Sequence, residues 1–268
     1  MTVASGDWNH HDAGVMTQPQ ASSIFRFYAE LNDFLKRERR GREFDAVFAN
    51  PSSVKDTIEA LGVPHTEVDL VLVNGKPRRF DDLLRGGERV SVYPVFERLD
   101  ISELNRLRPR PLRTLRFVLD VHLGQLARRL RLLGLDVVYR NDLGDEEIVQ
   151  IALAQKRTIL TRDKGILKHR VVDRGHWMRA TDPDAQAREV IEAFDLRGSC
   201  APFTRCLECN GILADADPGG VVDRVPEQVA RDFHHFRECR DCRRVYWPGS
   251  HYDRLRQRVA GLLELPPG

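Results

Sequence analysis

Apolar positions in the 268-residue chain keep three different rhythms in succession. From about Ser22 to Phe96 the pattern is mixed. SIFRFYAELNDFL begins with Ile24, Phe25 and Phe27 as a strand would. In SSVKDTIEALG, Val54, Ile58 and Leu61 share a helical face, with Ser52 or Ser53 as N-cap and Gly62 as the stop. VDLVLVNGKP predicts a strand entering a turn at Asn74–Gly75. ERVSVYPVF predicts another strand, with Pro94 favouring an edge position or a bulge. Strands, one helix, then strands predict a compact α+β unit.

The second rhythm, from about Leu115 to Leu196, alternates regularly. LRFVLDV, DVVYR, TILTRD and HWMRAT read as strands. LGQLARRLRLLG reads as a helix with Leu123, Leu126, Leu130 and Leu133 on one face, and DEEIVQIALAQK as one with Ile148, Ile151 and Ala152 inward. GILKHR is a short helix, and DPDAQAREVIEAFDL a longer one with Asp182 as N-cap and Pro183 at the first helical position. Repeated strand–helix units of this length predict a parallel sheet covered by helices. Between the two segments lies ERLDISELNRLRPRPLRT, where Pro109 and Pro111 resist helix, and it reads as a linker.

Charge changes this picture locally. The net charge is only +2, too small to imply nucleic acid by itself. Yet from Arg106 to Arg131 there are eight arginines against one acid, Asp120. This excess flanks the first candidate acid; Arg113, Arg116, Arg128, Arg129 and Arg131, and Lys164 by its location, are candidates to contact a phosphate backbone, and the alternative is a solvated helix face. No apolar run approaches the roughly 18–20 residues that span a bilayer, so no membrane partner is expected. The polar start of the chain lacks a charged-then-apolar signal pattern and reads as a leader, with its His10–His11 pair part of that composition.

The third stretch is loop-rich and carries Cys206–Cys209 and Cys239–Cys242, two Cys-x-x-Cys turns separated by 29 residues. Four such thiolates are the ligand set of a closed, structural Zn2+ site. Without an export signal, a reducing, cytoplasmic compartment and zinc are better supported than disulfides. Asn210–Gly211 permits the tight turn of a knuckle. Cys200 is left over as a bystander, and His234, His235 and His251 are substitute ligands that a complete cysteine set does not need.

Candidate chemistry lies upstream. In an open parallel sheet the carboxyl ends of the strands form the ligand-binding edge. Asp120 ends the first strand and Asp163 the third, while Asp145 and Glu146 open the helix after the second. Gathered carboxylates suit Mg2+ or Mn2+, which relieves their repulsion. Each has a plainer reading: Asp145 as an N-cap, Glu146 as a first-turn acid, and Asp163 as an ion pair with Arg162. Asp120, between Leu119 and Val121, is costly to bury without a partner.

The first segment's element order resembles a ubiquitin-like β-grasp domain. Its Gly86–Gly87 is internal, which argues against a sulfur carrier. The string LDVHLGQLARRLRLLGLDVVYRND…DEEIVQIA…RTILTRDKGIL resembles the Mut7-C RNase domain, a PIN-like nuclease. The tail from CLECNG to CRDCRRVYWPGSHYDRL resembles its zinc ribbon, and the first segment the Mut7-C ubiquitin-like domain. The resemblance implies a leader (1–21), a ubiquitin-like domain (22–97), a basic linker (98–114), a PIN-like RNase domain (115–198), and a zinc ribbon with a C-terminal helix (199–268). It also implies a metal-dependent endoribonuclease of single-stranded or structured RNA, with Asp120, Asp145 and Asp163 as its acids and Glu146 as a fourth; tRNA is a candidate substrate, and such a nuclease left uninhibited would act as a toxin. Lys164 and Gly165 stand where the wider pattern often carries another acid. A non-catalytic RNA-binding protein, and an adaptor that recruits a protein partner through the ubiquitin-like domain, are the rival readings.

Overall fold

The computed structural model describes residues 19–94 and 116–264; the expected linker, and Arg113 with it, lies outside them. The first unit comprises β1 (Gln20–Phe27), β2 (Phe44–Ala49), β3 (Ser52–Ser53), α1 (Val54–Ala60), β4 (Val68–Val73), β5 (Lys76–Pro77), β6 (Leu83–Leu84) and β7 (Arg89–Pro94). The main sheet runs β2-β1-β7-β4-β5. The first and last long strands, β1 and β7, pair in parallel at its centre, and the remaining pairs are antiparallel. This is the ubiquitin-like β-grasp arrangement. β1 begins inside the expected leader, because Gln20 and Ala21 already pair with Ala49 and Phe48.

Local signals explain these elements. Alternation along β1 buries Phe25 and Phe27 while leaving Ile24 exposed. Ser53 caps α1 by accepting from the Asp56 amide, and Val54 and Ile58 face the core. Asn74 and Gly75 both adopt positive φ, the requirement of the tight turn between β4 and β5. Of the two settings expected for the Pro94 strand, an edge or a bulge, the structure shows the second, because β7 lies between β1 and β4. Proline is tolerated there as the strand's last residue, opposite Val68, where the pairing slips between Val68 and Leu70.

The second unit holds β8 (Arg116–Leu119), α2 (Gly124–Leu132), β9 (Asp136–Val138), α3 (Asp145–Gln155), β10 (Thr158–Thr161), α4 (Lys164–Leu167), β11 (Gly175–Trp177) and α5 (Pro183–Ala193). Its four strands are all parallel in the order β11-β10-β8-β9. Both faces are covered. Phe117 and Leu119 point into a core shared with α2 and α5, while Val118 points into a core with Ile148, Val149 and Ile166. The four leucines expected on one face of the α2 segment are all buried. Asp182 caps α5 by accepting from the Asp184 and Ala185 amides.

The remaining chain forms β12 (Leu213–Ala216), α6 (Pro218–Val221), α7 (Glu227–Asp232), β13 (Phe236–Cys239), β14 (Val245–Tyr246) and α8 (Tyr252–Leu263). The three strands make an antiparallel ribbon, and α8 returns to bury Val259 and Leu262 in the core of the parallel sheet. The chain enters the ribbon past Gly134, at φ +85°, where an added Cβ would stand 2.0 Å from the Ala201 carbonyl oxygen. Gly134→Ala is therefore expected to lower stability by more than ~1 kcal/mol, read as a fall in the thermal midpoint. An unchanged midpoint would contradict this packing. No helix among the described residues is long and apolar enough to cross a membrane.

The ubiquitin-like unit lies against β11, the edge strand of the parallel sheet. The Trp177 amide donates to Glu67 Oε1 at 2.5 Å, and His65 Nε2 lies 2.7 Å from the Val172 carbonyl. Lys168 and Lys55 reach the carbonyls of Glu59 and Arg170 across the same boundary.

Candidate active site and zinc centre

The chain leaves β8 for β9 on one side, then crosses back to β10 on the other. In such doubly wound sheets the crevice opens at the carboxyl ends of the two strands where the direction reverses. Those strands are β8 and β10; Asp120 follows β8 directly, and Asp163 follows β10 after Arg162.

Asp120 is 5% exposed, and its carboxylate is held by three neutral donors. Oδ1 accepts from the His122 amide at 2.9 Å; Oδ2 accepts from the Thr161 hydroxyl at 2.5 Å and the Arg162 amide at 2.9 Å. These bonds compensate for its burial. The Thr161 hydroxyl in turn accepts from the Asp163 amide at 2.8 Å, so one side chain ties the two acids together. Asp163 is exposed and caps α4 through the Gly165 amide. Asp145 is not the N-cap of α3, because Gly144 occupies that position; Asp145 and Glu146 are exposed in the first turn, where the helix dipole favours acids. None of the four forms a salt bridge among the described residues, so ion pairing with Arg162 does not account for Asp163. Nor do they close into a group of three ligand atoms within 4.8 Å of one another; among the described residues only the cysteines do that.

Most of the expected cationic residues that the structure describes have partners within the fold. Arg131 is buried and donates to the carbonyls of Val137, Tyr139, Leu207 and Glu208, so the phosphate role expected for it is corrected: its donors are used inside the fold. Arg129 pairs with Asp184 at 2.6 Å and Arg128 with Glu208 at 2.6 Å. Arg116 begins β8, at the amino end of the sheet, opposite the acids. Lys164 follows Asp163 but turns to the domain boundary, its ammonium 3.9 Å from the Trp177 ring centre and 4.7 Å from that of Phe34. Burial there, with Arg179 nearby, pushes its pKa below the ordinary lysine value. Arg162 and the His122 ring stand exposed beside the acids. Thr161, which the TILTRD string contained, was the missed partner. A hydroxyl at the end of a strand, two residues before an acid, is the signal that points to it.

The four thiols form a second site. Cys206 and Cys242 Sγ are 3.6 Å apart, and Cys209 and Cys239 Sγ 3.4 Å. A tetrahedron with Zn–S near 2.3 Å has edges of about 3.8 Å, so the donor set fits zinc in both chemistry and spacing. Burial opposes ionisation of Cys206, but the Tyr246 hydroxyl at 3.0 Å and the Cys209 and Glu208 amides outweigh it and hold this thiol at about 7. Burial among the other sulfurs pushes Cys209 up to about 12. Asn210 takes φ +74° in the knuckle turn, and its amide group bonds to the Val137 amide and Asp136, locking the knuckle to β9. His234, His235 and His251 are exposed and outside the set; His251 precedes α8 without a capping bond. Cys200 packs half-buried against the main core, and burial raises its pKa.

The fold and site define a doubly wound α/β unit with an acidic carboxyl edge, a four-cysteine ribbon and a β-grasp unit docked at its side. The profile of the Mut7-C RNAse domain matches residues 115–259, and that of the Mut7-C ubiquitin domain matches residues 21–100. The chain belongs to the Mut7-C RNAse domain family. Among proteins with curated descriptions and among solved structures, none matches it.

Proposed function

We propose that the protein is a metal-dependent endoribonuclease that hydrolyses phosphodiester bonds in RNA, with tRNA or another structured RNA as substrate class and a toxin-like role. One observation carries this reading. In a chain of an RNase family, two acids with no ionic partner among the described residues flank the switch point of the sheet. Asp120 and Asp163 would hold Mg2+ or Mn2+, with Asp145 and Glu146 on the same edge. Such ions usually keep several waters and take other ligands from substrate phosphate, so the reading does not require a closed protein cage. The bound ion supplies a more acidic water and neutralises charge at the scissile phosphate.

The chain's own residues do the positioning. Thr161 and the Arg162 amide fix one oxygen of Asp120, while the other accepts only the His122 amide. A carboxylate offers about four acceptor positions, so one is left for a ligand. The exposed Arg162 and His122 stand where phosphate groups would approach. The ubiquitin-like unit is read as recruiting a protein partner or restraining the nuclease. Thiols that must stay reduced fit a cytoplasmic setting.

Sequencing the RNA ends left by wild type and by Asp163→Asn, with Mg2+ or Mn2+ supplied, tests the reading. New ends are expected with wild type alone, and identical end profiles would defeat it. The second reading, RNA binding without cleavage, draws on the three protein donors that already offset the burial of Asp120. It would give metal-independent binding and no new ends.

A further inference from the structure

A cleft of about 770 Å³ between the ribbon and the first turn of α8 has no part in the chemistry above. Its volume falls within the roughly 300–1,000 Å³ of ligand sites. Phe203, Tyr246, Trp247 and Tyr252 line it, a concentration of rings in a chain only 7% aromatic. All four are half-buried, so each keeps ring surface available. Phe203 and Tyr252 lean together at 5.1 Å, and Trp247 is braced on Gly249, where an added Cβ would meet Nε1 at 2.8 Å.

The cleft's polar lining favours an anion. Arg244 and three histidines, His251 among them, are exposed there, and Asp215 is the one acid among the lining residues. α8 then runs from the cleft to the start of α5. Its first turn lines the cleft, while Arg258 reaches Asp184 at 3.4 Å, in the first turn of α5 and thus near the carboxyl end of β11. Twelve helical residues span about 18 Å. Arg254 and Arg256 are exposed along that length.

We propose that this cleft is a second RNA-binding site that receives a single-stranded segment and leads it along α8 toward the acids. Bases stack on Trp247 and Tyr252, and phosphates meet Arg244 and the exposed arginines of α8. Stacking rings beside cations are the combination that holds single strands, because every base has a π-face and every linkage a charge. The ligand class rests on the ribonuclease reading; the site itself does not use the acids.

Fluorescence anisotropy of a short labelled single-stranded RNA on the full zinc-loaded chain, without Mg2+ or Mn2+ to keep the RNA intact, tests the site. Trp247→Ala is expected to weaken binding roughly 5- to 150-fold, the equivalent of 1–3 kcal/mol per stacked base. Trp247→Phe should keep most of the affinity, and Arg244→Ala should reduce the salt slope by about 1. Zinc content and circular dichroism report on folding, and the last two variants keep the test open if Trp247→Ala does not fold. Affinity and salt slope indifferent to all the substitutions would overturn the proposal, as would a polypeptide that protects Trp247 from quenching where RNA does not. Wild-type cleavage with Trp247-independent binding sinks this inference alone. Trp247-dependent binding with no cleavage in either metal sinks the ribonuclease reading alone.

Discussion

An Asp120→Asn variant is expected to lose RNA cleavage by more than about 100-fold, beyond the usual effect of altering a group that merely supports a metal ligand. The substitution keeps the side chain's shape and an acceptor for the Thr161 hydroxyl and the Arg162 amide. It places an amide NH2 against the His122 N–H, a lost bond that costs about 1–3 kcal/mol of stability. The fold should therefore survive while the negative charge is gone. Thr161→Val separates support from ligation. It removes the donor that orients Asp120 and should reduce cleavage by roughly 10–100-fold with every acid still present. If Asp120→Asn cleaves as fast as wild type in Mg2+ and in Mn2+, the carboxyl edge is not where hydrolysis occurs.

Stripping zinc with a chelator, or replacing Cys239 by Ser, is expected to unfold the ribbon. Its own buried cluster is small: Cys206, Leu213 and Cys239, with Tyr246 against them. Apparent zinc-binding free energies of about 10–16 kcal/mol in finger peptides exceed what so few side chains supply. Metal analysis should give one zinc per chain before treatment, and thiol titration should find Cys206 and Cys239 reactive only afterwards. Circular dichroism should lose the signal of β12–β14, whereas the separate core around Phe25, Ile58 and Val92 should persist. A ribbon that stays ordered with no metal bound would show that the sulfur cluster is not the source of its stability.

Much of the architecture was readable because its signals were local. The leucine spacing in LGQLARRLRLLG, the Asp182–Pro183 start of α5, the Asn74–Gly75 turn and the two cysteine knuckles each require only neighbouring residues to act. What stayed hidden depended on segments far apart in the chain. Arg131 reads as a solvent-facing charge on an amphipathic helix, yet carbonyls at Leu207 and Glu208, more than seventy positions later, draw it inside. Lys164 reads as a cation beside an acid, but Phe34 from the other unit claims it. The four acids are expected on one edge from the strand–helix alternation alone. Thr161 as the link between two of them required the register of β10 against β8.

The contact between β11 and the ubiquitin-like unit makes the two halves poor candidates for separation. A nuclease half expressed without residues 19–94 would present the main-chain rim of β11 with its Trp177 amide bare, the Trp177 indole stripped of Phe34, and Arg179 without Asp33 and Glu67. Naked strand rims invite pairing with other chains, so such a fragment should be sticky and self-associating. The small β-grasp unit thus covers a flank of its larger neighbour that would otherwise be open to pairing with copies of itself.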